Sequence, residues 1–266
     1  MLRKLIKYDF KSIFRSLLPL CGAFIIIGAL TGLSFPREFT DDAPTGMLIL
    51  WGTILFALIA MTIAVSVISL IIVITRFHKN LLGDEGYLTF TLPVDTKTQL
   101  ASKCISGYVA FLIAFISGII AYGLFAVIAV TKTGYVELFD EIRKMLEELM
   151  NAVATLPVHY TIVFILTAIS GTFIMLLKIY FSIMLGHQFE DHKILMSFAA
   201  FIGITIAESL LKNMVSLVIM GVGVAASAFG EMAMGVLLFS LGINVGLIAI
   251  YLYGTYYLMS NRLNLA

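Results

Sequence analysis

The chain has 266 residues, 61% of them hydrophobic and only 12% charged, with a formal net charge of +1, and its mean hydropathy is +1.04. That balance excludes a soluble globular domain, and the near-neutral charge excludes the phosphate backbone of nucleic acid as a partner. What remains is an all-α polytopic membrane protein, because a span needs about 20 apolar residues to cross roughly 30 Å of hydrocarbon and this chain offers six such stretches.

In chain order, residues 1–16 come first. Leu2, Leu5, Ile6, Phe10, Ile13 and Phe14 recur at helical spacing with Arg3, Lys4, Lys7, Lys11 and Arg15 between them. The pattern predicts an interfacial amphipathic helix lying flat against anionic membrane lipid. The six predicted spans follow at Leu17–Phe35, Met47–Thr75, Cys104–Val130, Tyr160–Leu185, Ile194–Met220 and Met234–Met259. The first is longer than the apolar core of a secretory signal and has no small-residue cleavage site after it, so it is expected to remain. With no long linker or fixed-period repeat, the chain reads as a single transmembrane domain over 1–266.

Lysine and arginine set the orientation, because positive loops stay in the cytoplasm. Eleven of the 17 basic residues fall before span one, between spans two and three, between four and five, or after span six. The other side carries Glu38, Asp41, Asp42, Glu137, Asp140, Glu141, Glu147, Glu148 and Glu231. Both termini are therefore expected in the cytoplasm of a cell-membrane protein.

Residues 76–103 form a polar insert between spans two and three. Residues 131–159 form the longest external loop, where Tyr135–Met150 repeats apolar residues every three or four positions between Gly134 and Pro157. That spacing predicts an acidic extracellular amphipathic helix covering the outer mouth of the spans or a second copy. In span four, Lys178 is expected to snorkel to the nearby cytoplasmic interface. His187 and His192 are five apart, on different helix faces, and with Glu190 and Asp191 read as a solvated loop rather than a metal pair.

Span five is the least regular. Glu208 and Lys212 are four apart, share a helix face and are able to pair. Their depth leaves two readings, a continuous span with an ion pair near its outer third or, the one preferred, a broken fifth span with Met214–Phe229 returning through Gly221 and Gly223; the pair is either a structural pair at the outer interface or a candidate for the pathway or gate. Gly28-x-x-x-Gly32 and Gly242-x-x-x-Gly246 predict close helix approach. Cys21 and Cys104 read as small apolar packing residues without a bridge. The chain lacks a Gly-x-x-x-x-Gly-Lys-Ser/Thr loop, a His-Glu-x-x-His pair and a Gly-x-Ser-x-Gly elbow, so no catalytic, cofactor-binding or metal-ligating residue is assigned and the chain reads as no enzyme.

The stretch Leu82-Gly83-Asp84-Glu85-Gly86-Tyr87-Leu88-Thr89-Phe90-Thr91-Leu92-Pro93-Val94, followed by Gln99-Leu100-x-x-Lys103, resembles the cytoplasmic loop of bacterial ABC-2 type transporter permeases, above all the short six-span kind. The resemblance implies two permease subunits, a homodimer rather than a heterodimer, forming a pathway above a separate cytoplasmic ABC ATPase that holds the ATP and Mg²⁺. It implies that Asn80, Leu81, Leu82, Gly83, Asp84, Glu85, Gly86 and Tyr87 form the coupling element seated in the ATPase, and that the cargo is an amphipathic peptide or similar molecule. Residue chemistry agrees: Asp84 and Glu85 offer charge to a basic partner surface, Tyr87 offers anchor area, Gly83 and Gly86 permit tight turns, and Pro93 ends the element. Two other classes compete, an ion-gradient-driven secondary transporter and a membrane immunity or scaffold protein that moves nothing.

Overall fold

The computed structural model describes residues 2–35, 45–81, 95–133, 144–145, 147–148, 151, 157–189, 192–225 and 229–261; side chains at 47, 80, 219–225 and 229–233 lie outside the description. Among the described residues, six long helices make up the architecture: α1 Leu2–Leu33, α2 Thr45–Leu81, α3 Thr96–Thr133, α4 Val158–Gly186, α5 Lys193–Ala225 and α6 Phe229–Asn261. Each carries a segment long and apolar enough to cross a bilayer, so the chain is an all-α, multi-pass membrane protein. The shortest, α4, has 29 residues and the longest, α3, has 38. At 1.5 Å per residue all of them overrun roughly 30 Å of hydrocarbon.

Two expectations about helix continuity are corrected. The amphipathic segment 1–16 and the first span are not separate pieces, since α1 runs unbroken from Leu2 to Leu33 with Pro19 inside it. Its buried residues, Ile13, Leu17, Cys21, Phe24, Gly28 and Gly32, form one stripe at steps of three and four that crosses the presumed boundary, so packing carries the helix straight through. The fifth span is not broken at Glu208 and Lys212, because α5 is helical from Lys193 to Ala225. No proline interrupts it, and both charges have partners, as described below. Of the predicted helix Tyr135–Met150, only Lys144, Met145, Glu147 and Glu148 are described, all helical; the rest lies outside the described residues.

The helices sort into two compact units. One comprises residues 3–76 and 105–152, that is, α1, most of α2 and most of α3. Its core is Phe24, Leu58, Val65 and Ala121. A Cβ on Gly28 would overlap the Ala121 carbonyl, and one on Gly32 would meet the Phe125 carbonyl at 2.9 Å. The expected small-residue approach is therefore real here and joins α1 to α3. Tyr122 packs edge-on to Phe24, with ring centroids 6.1 Å apart, and shares a 2.7 Å hydrogen bond with the Thr62 hydroxyl. Other hydroxyls close onto their own helices: Thr31 donates to the Ile27 carbonyl and Ser69 to that of Val65. This back-bonding lets polar side chains sit in a span without an outside partner.

The other unit comprises residues 77–104 and 153–266, that is, the end of α2, the start of α3, and α4, α5 and α6. Helix α4 is its spine, burying Ile174, Leu176, Leu177, Ile179, Tyr180, Ile183 and Met184 and packing on α5 and α6. A Cβ on Gly186 would overlap Ser197, so glycine permits the tight approach where α4 hands over to α5. Asn244 of α6 donates to the Ser170 hydroxyl of α4 at 2.9 Å. The second predicted glycine approach fails, because a Cβ on Gly242 or Gly246 meets nothing within 4 Å. Spacing identifies a smooth face; it does not say whether a neighbour lies against it.

Candidate functional site

Glu208 sits in α5 about 22 Å along the helix from Lys193, well away from either end. Its side chain is 10% exposed and joins two cations: Lys178 Nζ of α4 donates to Oε2 at 3.1 Å, and Lys212 Nζ donates to Oε1 at 2.7 Å. Tyr251 of α6 stands beside the same carboxylate. Lys178 also lies over the face of Phe201, 5.4 Å from the ring centroid, a cation–π contact that partly replaces lost hydration. Two lysines on one glutamate leave one unit of positive charge among three helices.

The geometry follows from the tilt of Cβ toward each helix's N-terminus. Helices α4 and α5 meet at residues 187–192, so their N-terminal directions are opposite relative to that turn. Lys178, about 12 Å along α4 from Gly186, leans away from the turn, whereas Glu208 leans toward it. The two side chains thereby close a difference of roughly 10 Å in depth. This corrects the expectation that Lys178 snorkels to the nearer end: doing so would work against the tilt, and a carboxylate waits in the other direction.

A second cluster surrounds the helix ends that flank residues 82–94. Phe77, near the end of α2, stacks on Tyr180 of α4 with centroids 4.0 Å apart and planes 11° apart. The Tyr180 hydroxyl donates to the Lys103 carbonyl of α3 at 3.1 Å, so one tyrosine grips both strands of chain that lead to the loop. Leu81 is fully buried, and Lys97 lies 5.3 Å from the centroid of the Tyr256 ring on α6.

Beside this grip, His78 of α2 and His187, at the end of α4, meet Nε2 to Nε2 at 3.1 Å. His187 Nδ1 lies 2.9 Å from the Ile183 carbonyl. A carbonyl only accepts, so Nδ1 carries the proton and Nε2 is the lone-pair nitrogen that accepts from His78. Burial pushes the His187 pKa below its ordinary value, and the neighbouring His78 and Lys193 act in the same direction, against the Ile183 carbonyl. The reading of His187 as part of a solvated loop is therefore corrected: it turns inward and is paired.

Of the residues singled out in the sequence, Glu208 and Lys212 come together as the four-residue spacing required. Asn80 and Leu81 end α2, while Leu82, Gly83, Asp84, Glu85, Gly86 and Tyr87 lie outside the described residues. Sequence reasoning missed Tyr251 and Tyr180, which give no local signal, and misdirected Lys178, whose charge inside an apolar run was the available clue. The two cysteines are buried and unbridged, as expected. The chain matches no protein-family model, no curated protein and no solved structure.

Proposed function

We propose that this chain is the membrane-spanning permease subunit of an ABC exporter, set in the cell membrane with both termini in the cytoplasm. Two copies form the pathway, a separate ATPase supplies ATP, Mg²⁺ and hydrolysis, and the loop after α2 transmits the stroke. The observation that carries this reading is the grip of Tyr180. Both roots of the loop are held on α4 by the Phe77 stack and the Lys103 carbonyl bond, and α4 also carries Lys178 of the part-buried ion cluster. A push on the loop therefore acts on a helix that reaches α5 and α6, the kind of rigid-body coupling an ATP-driven permease requires.

Two features support a second subunit. No residue in the most apolar stretch of Lys193–Val218 is buried within this single chain. On α6, Gly242 and Gly246 present a smooth face with nothing against it, which suits close approach of another helix. Amphipathic peptides suit a pathway that combines apolar walls with one excess positive charge.

The test is co-purification with the separate ATPase subunit that this reading requires. Asp84→Lys with Glu85→Lys should release the ATPase or cut hydrolysis in the complex, while a complex unchanged in composition and turnover would sink the reading. The ion cluster favours one alternative, a carrier driven by a proton or sodium gradient, because such carriers keep ionisable groups at mid-depth. Transport by the isolated chain in vesicles under a gradient alone, lost in Glu208→Gln, would establish that alternative.

A further inference from the structure

We infer that His78 and His187 form a two-imidazole site for a divalent first-row transition ion of the Zn²⁺, Ni²⁺ or Cu²⁺ class. Three features of the pair point to such a site, and none of them depends on the transport reading.

First, the two Nε2 atoms are 3.1 Å apart. Two nitrogens bound at about 2.0–2.1 Å to one tetrahedral ion stand roughly 3.3–3.4 Å apart, so a few tenths of an ångström and a small ring rotation convert the hydrogen bond into a chelate. The ring planes are already inclined at 60° with centroids 4.9 Å apart, which leaves the two rings unstacked and able to converge on one point. Second, His187 donates Nδ1–H to the Ile183 carbonyl. A ligating histidine typically gives its other ring N–H to such a partner, which fixes the tautomer and aims the lone pair. His187 is thus oriented before any ion arrives. His78 has only to carry its proton on Nδ1, freeing the Nε2 lone pair; no net proton is released.

Third, the pair is the end-to-end link between two helices. His78 lies in the last turn of α2 and His187 caps α4, 109 residues apart in sequence, so neither local chain segment forms a chelate alone. An ion held there stabilises the folded arrangement, because the unfolded chain cannot bring the rings together. Among the described residues no group of three His, Cys, Asp or Glu side chains surrounds a common point, so the assignment is to the two imidazoles alone. Imidazole donors select Zn²⁺, Ni²⁺ and Cu²⁺ over Mg²⁺ and Ca²⁺, which prefer oxygen. The positive charge of Lys193 acts on His187, and it weakens the site without occupying it.

The experiment uses the full chain in detergent micelles, purified without a polyhistidine tag and stripped by chelator. Zn²⁺ or Ni²⁺, but not Mg²⁺, should raise the melting midpoint with one ion bound per chain. Cu²⁺ should give an electron paramagnetic resonance spectrum with superhyperfine splitting from two imidazole nitrogens. His78→Gln and His187→Gln should each weaken binding about tenfold or more, with monodispersity and helical circular dichroism verifying that the variants fold. The sequence has four histidines, so His159→Gln/His192→Gln is the control and should bind as the parent does. Binding that survives loss of His78 and His187, a one-nitrogen copper spectrum, or no stabilisation of the parent would each overturn the assignment. If a glutamine variant fails to fold, the copper spectrum of the parent still decides.

Discussion

Replacing Glu208 by Gln removes the only anion in a cluster holding two lysines. Glu208 and Lys178 are 10% and 12% exposed, whereas Lys212 is 35% exposed, so the three partners do not lose equally. Deleting one member of a buried pair costs about 3–5 kcal/mol in soluble proteins, and an unpaired lysine at the centre of a span costs about 2.5–3.5 kcal/mol on insertion scales. Glu208→Gln should therefore destabilise the folded chain by about 3 kcal/mol, roughly a hundredfold in the folding equilibrium. Lys178→Met should cost a similar amount, because it strands the carboxylate with Lys212 alone. Lys212→Met should cost about 0.5 kcal/mol, as expected for a part-exposed i,i+4 pair. The decisive measurement is a double-mutant cycle by reversible denaturation in micelles. Glu208→Gln with Lys178→Met leaves only Lys212, the most exposed of the three, so the double variant should recover most of the loss. Strictly additive losses would refute the idea that Lys178 depends on Glu208.

Three further outcomes are expected. Gly28→Val places a side chain against the Ala121 carbonyl and should cost about 1–3 kcal/mol, while Gly242→Val, which meets open space, should leave the stability of the single chain within about 0.5 kcal/mol; equal costs in micelles would contradict the packing described. Tyr180→Phe keeps the stack on Phe77 but loses the bond to the Lys103 carbonyl, a loss of about 1 kcal/mol, whereas Tyr180→Ala also opens a cavity and should cost about 3–5 kcal/mol, both read by denaturation midpoint. Because burial holds the His187 pKa below the ordinary 6.5, the unfolded chain binds more protons between the two values. Stability in chelator-treated buffer should therefore be level above about pH 6.5 and fall as the pH drops below it. His187→Phe should remove that fall, and an unchanged profile would assign it elsewhere.

The spans were legible because hydropathy over some 20 residues is a local property and hydrocarbon tolerates little else. Their ends were less so: α3 begins at Thr96, eight positions before the apolar run that announced it, because helical hydrogen bonding continues past the lipid boundary wherever neighbours cover it. The continuity of α5 was hidden for a different reason. Glu208 and Lys212 resembled a break, and Lys178, 30 positions away on another helix, adds the second partner that helps make the carboxylate tolerable at that depth. Gly28 and Gly242 open identical motifs with opposite environments. The contact between His78 and His187 depends on where two helices end, which no window of sequence contains.

Tyr180 and Lys178 are two positions apart on α4, about 200° around its circumference. One side of this rod therefore holds the approaches to the polar insert, and the far side holds the carboxylate of α5. A rod fastened on opposing flanks acts as an axle: turning it a few degrees to loosen the tyrosine's hold necessarily swings the ammonium across its counter-charge. The hold on the approaches to the insert and the hold on the carboxylate are thus geared to each other by little more than half a turn of backbone.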